Sequence, residues 1–164
     1  MDFKNFAKDA IGNVKDNAVS KIDANKKKND LNIGKYIGIG GKFVEGESPF
    51  DCVIRETREE CGLSLLAPDY RGIITFVSDC YPTEQMHLFT ANKFSGEIRS
   101  CNEGELLWVP KKEINQLPLW EGDRIFLRLL DEDIPFFSLK LIYRKDDLLS
   151  AVLNGQALDV NEGK

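Results

Sequence analysis

The chain has 164 residues, 42% of them hydrophobic and 30% charged, with a net charge of −5 at neutral pH; this is enough apolar material for one domain with a single core. The acidic balance excludes a nucleic-acid polymer as partner, because phosphate backbones are held by clustered Lys and Arg, while small anionic nucleotides remain open to locally placed basic residues. No apolar run is long enough to span a bilayer, no signal peptide opens the chain, and Cys52, Cys61, Cys80 and Cys101 lack CxxC or Cys/His metal spacing, all of which reads as a cytoplasmic protein with reduced thiols and no membrane partner.

In residues 1–25, Phe3, Phe6, Ala7, Ala10, Ile11, Val14, Ala18 and Ile22 recur at helical spacing, broken at Gly12-Asn13. The pattern alone predicts one amphipathic helix or two short ones. Lys26, Lys27 and Lys28 follow; a lysine cluster is ordinarily a solvated loop, but Lys27 stands just ahead of a glycine pair and suits a phosphate or sugar contact. Residues 35–39 read as a short strand entering Gly40-Gly41, where the backbone can approach a ligand closely.

Ser48, Pro49 and Gly62 bound a predicted helix from about residue 48 to 61. Glu56, Glu59 and Glu60 fall at i, i+3 and i+4 and share one face; Val53, Thr57 and Cys61, with Ile54 beside them, form the apolar face. Three like charges in one place repel, and a divalent cation would offset them: Mg²⁺ takes carboxylate oxygens, waters and substrate phosphates. The plainer reading is a solvated face paired with Arg55 and Arg58.

Further on, residues 63–66 form an apolar run closed by Pro68, and residues 72–77 and 87–91 read as strands; His87, the sole histidine, fits a structural place and is given no role. Residues 106–109 form a strand ended by Pro110 and residues 111–116 a short helix. A further helix over 121–131 lines up Ile125, Phe126, Leu129 and Leu130. Trp120 at its mouth suits either the core or stacking on a base, and Asp123 either the helix dipole or a ligand. Residues 136–143 and 148–153 are strands around a turn at 145–147; residues 154–164 are read as a tail, frayed from Asp159 onward.

Gly41, Glu47, Arg55-Glu56, Glu59-Glu60 and Gly62-Leu63, at spacings of five, seven, two and one residues, resemble the Nudix box at every charged and glycine position; Thr57 alone departs, where the family usually carries an aliphatic residue. The resemblance outweighs the solvated-face reading. It implies an α/β fold, a Nudix α/β/α sandwich around a mixed sheet, with the hydrolase domain over 26–153 and the first strands drawn from residues 1–25. It implies Mg²⁺, or Mn²⁺ in its place, held by Glu56, Glu59, Glu60 and the Gly40 carbonyl, with a further carboxylate from Glu103 as ligand or base. Glu59 or Glu60 would accept the proton of the attacking water, and Arg55 and Glu47 would brace the loop. Lys27, Ile39, Gly40, Gly41 and Lys42 would line the substrate.

Trp120 with Asp123, and the ending FFSLKLIY, turn, LLSAVL, also resemble the MutT-type subgroup that hydrolyses oxidised purine triphosphates. That subgroup implies hydrolysis of 8-oxo-dGTP or a related nucleotide to the monophosphate and pyrophosphate, in nucleotide-pool sanitisation and DNA repair, by a monomer or homodimer. Ile37 departs from it: family members reading 8-oxoguanine often carry an asparagine there, and an aliphatic side chain offers no hydrogen bond to a base edge. Two alternatives follow, a Nudix pyrophosphatase for another nucleotide, such as ADP-ribose or a dinucleoside polyphosphate, and a nucleotide-sensing Nudix module without catalysis.

Overall fold

A computed structural model of the chain describes residues 5–9, 12–14, 17–22, 32, 34–99 and 105–160, with side chains at 32, 34–99 and 106–160. Its strands are β1 (Asn5–Asp9), β2 (Gly12–Val14), β3 (Asn17–Ile22), β4 (Tyr36–Ile37), β5 (Ile39–Lys42), β6 (Ser64–Leu65), β7 (Asp69–Ser78), β8 (Glu84–Thr90), β9 (Phe94–Ser95), β10 (Glu105–Pro110), β11 (Phe137–Arg144), β12 (Asp147–Leu153) and β13 (Gln156–Leu158). Two α-helices, α1 (Pro49–Cys61) and α2 (Glu121–Asp131), and a 3-10 helix over Lys111–Gln116 complete it.

A seven-stranded mixed sheet runs in the order β13-β12-β11-β7-β8-β1-β5, with β11 parallel to β7 and β1 parallel to β8. A second sheet runs β10-β3-β2, with β4 also paired to β3. β11 shows why strands form here: Phe137, Leu139, Leu141 and Tyr143 point inward and are buried, while Ser138, Lys140 and Arg144 alternate outward. Neighbouring residues of β8 go to opposite sides. Leu88 joins Ile74, Leu139 and Leu141 in a cluster under Phe126 and Leu129 of α2, and Phe89 joins Ile39 and Leu63 under Val53 and Cys61 of α1. The result is the expected layered α/β fold with a helix on each face. Each such side chain contributes roughly 1.5–3 kcal/mol when fully buried.

Two expectations are corrected. Of the two readings of residues 1–25, the amphipathic helix does not form: the described residues there are strands, the alternative that the family resemblance implied, Phe6–Asp9 pairing antiparallel with Ile39–Lys42 and Asn17–Ile22 with Glu105–Pro110. The backbone edges of β5, β8 and β10 need partners, and that tertiary demand overrides a local periodicity. Nor is the stretch from 154 only a tail. Asn154 and Gly155, with φ of 48° and 85°, turn the chain so that Gln156–Leu158 pair with Ala151–Leu153. An Asn-Gly pair is a hairpin signal. Among the described residues no helix is long and apolar enough to cross a membrane.

Candidate active site

Helix α1 is tightly bounded. The Ser48 hydroxyl accepts from the Asp51 N–H and the Asp51 carboxylate accepts from the Ser48 N–H, a reciprocal cap, and Pro49 occupies the first turn. At the other end Gly62 takes the left-handed conformation, φ 78°, and its N–H donates to the Arg58 carbonyl at 3.1 Å. These ends set which way each turn faces. Val53, Thr57 and Cys61 are fully buried against the β5 layer. Ile54, expected beside them, is 40% exposed: it lies one position too far around the helix and faces water.

Arg55 is the hub of the polar side. Its Nε and Nη2 hold Glu47 in a two-pronged pair at 2.5 and 2.9 Å; its Nη1 donates to Glu56 at 2.7 Å and to Glu59 at 3.0 Å. Nη2 also donates to the Lys42 carbonyl at 3.0 Å, and the Val44 N–H donates to Glu47. Arg55 thereby ties the helix to Glu47 of the loop and to the end of β5. The Arg55 hydrogen bonds, followed by the Val44 N–H, pull the Glu47 carboxyl down to about 2. Glu47 in turn holds the guanidinium above its already high ordinary value.

The three carboxylates are not equivalent. Glu60 is 6% exposed, and its Oε2 accepts from the Gly40 N–H at 3.2 Å. Glu56, whose side chain is 13% exposed, lies against Gly41 so closely that a Cβ there would overlap its carboxylate. The side chain of Glu59 is 60% exposed and reaches outward along Arg55. So Glu56 and Glu60 meet the backbone of the glycine pair, and Glu59 flanks them.

Among the described residues no three His, Cys, Asp or Glu side chains stand together as a ready-made metal cage. The donor set still fits a hard cation. Mg²⁺ is usually held by one or two carboxylates together with waters and substrate phosphates, and the side chain missing at Gly41 leaves a cradle in which Glu56 lies. Glu56 and Glu60 would hold it, with Glu59 at the outer edge.

Of the residues expected at the substrate, Lys27 and Glu103 lie outside the described residues. Lys42 is exposed, and Gly40 and Gly41 are half-buried. The Ile39 side chain is fully buried beneath α1, so a contact from this residue would come from its backbone. Trp120 caps the start of α2, and its carbonyl accepts from the Asp123 N–H at 3.0 Å. The segment before it docks on β4, the Tyr36 N–H donating to the Pro118 carbonyl at 3.0 Å, which brings Trp120 beside the strand leading into the glycines.

The indole is held on several sides by residues to which the sequence reading gave no role. Its Nε1–H donates to Asn32 Oδ1 at 3.0 Å, Tyr143 meets it edge-on at 6.0 Å, and Lys35 Nζ stands 4.6 Å above the ring centre. The buried Tyr143 hydroxyl accepts from the Gly122 N–H at 2.8 Å, and burial pushes its phenol well above the ordinary value. Only proximity in space joins Tyr143 to Gly122; no local pattern announces it. Lys35, a cation just before the strand that enters the glycine loop, was the one legible signal. His87 pairs with the Tyr70 hydroxyl, and burial lowers its pKa.

Comparison with known proteins agrees with this architecture. The family profile described as the NUDIX domain matches residues 22–130. An uncharacterised Nudix hydrolase of Bacillus subtilis is 37% identical over 95 residues, a match spanning 55% of this chain and 60% of that relative. The chain thus spans less than two thirds of that relative's length. The oxidised purine nucleoside triphosphate hydrolase of mouse is 30% identical over 125 residues, 76% of this chain and 80% of the mouse protein. Among solved structures, a MutT protein from Bacillus halodurans superposes with a TM-score of 0.81 at 23% identity, over 94% of this chain and 99% of that one. Together with the Gly41-to-Leu63 motif folded as described, these matches place the chain in the Nudix hydrolase family.

Proposed function

We propose that the protein is a divalent-metal-dependent nucleoside triphosphate pyrophosphatase that hydrolyses 8-oxo-dGTP or a related oxidised purine nucleotide to the monophosphate and pyrophosphate, removing damaged precursors from the nucleotide pool. The observation that carries this reading is the meeting of Glu56 and Glu60 at the Gly40-Gly41 backbone, with Trp120 docked beside the strand that enters it. The mouse relative, named for oxidised purine triphosphates, supports the substrate class.

Mg²⁺ or Mn²⁺, when bound, supplies charge neutralisation along the phosphates and acidifies water. The chain's own residues do the rest. Glu56 and Glu60 present hard oxygen donors at a backbone that admits close approach, and Arg55 keeps Glu56 and Glu59 oriented through its paired donors. Glu60, or Glu59 at the open edge, takes the proton of the attacking water as its oxygen bonds to phosphorus and the bridging oxygen departs with pyrophosphate. Lys42, Lys27 and Glu103 complete the proposed site, the lysines balancing phosphate charge and Glu103 adding a carboxylate. Trp120 and Asp123 meet the purine. Ile37 favours a second reading, in which the site takes another nucleotide such as ADP-ribose, because it leaves that position without a hydrogen-bonding group for a purine edge.

Pyrophosphate and phosphate release from 8-oxo-dGTP, dGTP, ATP and ADP-ribose, measured with Mg²⁺ and with chelator, tests the proposal. Metal-dependent pyrophosphate release strongest on 8-oxo-dGTP is expected, and Glu60→Gln, which keeps shape but loses charge and basicity, should lower turnover by about a hundredfold or more. Near-normal turnover by Glu60→Gln would overturn its role. A preference for ADP-ribose would favour the second reading, and binding without turnover of any member would leave a sensor.

A further inference from the structure

Lys35 holds an unusual place. Its ammonium stands 4.6 Å above the centre of the Trp120 ring, and its other contact, the Leu119 carbonyl, is at the 3.5 Å limit of a hydrogen bond. Among the described residues it makes no ion pair. A half-buried ammonium resting on an aromatic face, with no carboxylate among the described residues to neutralise it, is ready to exchange that face for a better acceptor. Lys35 closes the turn from Asn32, its N–H donating to the Asn32 carbonyl at 2.9 Å, and directly precedes β4.

We propose that Lys35 is a specificity-determining residue that reads the base edge, making the site select 6-oxopurines (guanine and 8-oxoguanine) over 6-aminopurines. This rests on the reading of Trp120 and Asp123 as the purine contacts. Lysine carries three donors and no acceptor, and a carboxylate at Asp123 is acceptor-only. A 6-oxopurine turns an acceptor at position 6 toward the ammonium and its N1–H and exocyclic N–H donors toward the carboxylate. A 6-aminopurine presents a donor to the ammonium, and two donors face to face leave both unpaired. The base displaces the ammonium from the ring face to the rim of the stack, where the lysine stem is long enough to follow it.

Calorimetric binding of 8-oxo-dGMP, dGMP and dAMP with chelator present separates this from the catalytic reading, since no turnover is needed. The wild type should bind the two guanine nucleotides more tightly than dAMP. Lys35→Met keeps the stem over the ring but removes the charge and donors; it should weaken guanine nucleotides by about ten- to a hundredfold, with dAMP within about twofold. Lys35→Arg should retain the preference. Equal losses on all three nucleotides would show a structural prop, and an unchanged ratio, or no wild-type preference, would overturn the inference. Because each ratio is taken on one sample, partial unfolding of a variant cancels. If triphosphates are not hydrolysed but the Lys35-dependent preference is found, the pyrophosphatase reading falls and the base-reading role stands. Turnover without base preference gives the reverse.

Discussion

At position 41 any side chain would overlap the Glu56 carboxylate, so the glycine there is a requirement of the site and not of the backbone. Gly41→Ala should therefore leave folding nearly intact while pushing Glu56 out of place. A displacement of about 1 Å is worth about a hundredfold in rate. The expected outcome is a kcat/KM about two orders of magnitude lower with a melting temperature shifted by no more than about 2 °C; equal losses in both would show a general packing defect. Thr57 gives the opposite pairing of effects. It is fully buried, and among the described residues its hydroxyl has no hydrogen-bond partner. A buried orphan polar group costs about 1–3 kcal/mol, so Thr57→Val, which keeps the branched shape, should stabilise the fold by about 1 kcal/mol. For a chain of this size that is a rise of roughly 2–4 °C in melting temperature, with catalysis unchanged. A lower melting temperature would show that the hydroxyl is satisfied in solution.

At the scale of the element, the helix and the loop before it act as one piece because Arg55 ties Glu47, Glu56, Glu59 and the Lys42 carbonyl together. The pH dependence follows from the depressed Glu47 carboxyl. With a folded value of about 2 against an ordinary 4.5, the ionised form is favoured by the fold. The contribution is complete above about pH 4.5 and is lost as the pH falls toward about 2. Urea midpoints of wild type and Glu47→Gln should differ by a constant amount from about pH 7 to 5, then converge below about pH 4.5. A gap that persists unchanged at about pH 3 would mean that the pair is not what Glu47 supplies. This unit was the most legible part of the sequence. Ser48, Pro49 and Gly62 are local signals for the two ends of α1, and the i, i+3, i+4 spacing places the glutamates on one face. What spacing could not give was the inequality among them. That Glu60 is buried on the Gly40 N–H while Glu59 is open depends on where β5 lies, a tertiary fact.

Over the whole molecule, the strand that carries the glycines is joined to the large sheet through β1, which lies between β5 and β8 and bonds to both. The same N-terminal stretch provides β3, the partner of β10 and β4. This was the least legible part of the chain from its own pattern, since helical spacing in residues 1–25 is a local signal and the pairing is with strands about 15 to 90 residues away along the sequence. It carries a prediction that a dispensable leader would not. Removing residues 1–22 takes away the backbone partners of Ile39–Lys42 and Glu105–Pro110 and leaves open edges that invite association between chains. The truncated protein should lose cooperative urea unfolding, elute as aggregate on size exclusion, and show no metal-dependent turnover. Removal of residues 161–164, beyond β13, should change none of these. A truncated chain that stays free of aggregation, unfolds cooperatively and keeps its activity would show that β5 holds the glycine pair against α1 without β1. In that case the packing of Ile39 beneath Val53 and Cys61, and not the ladder, would be what positions the site.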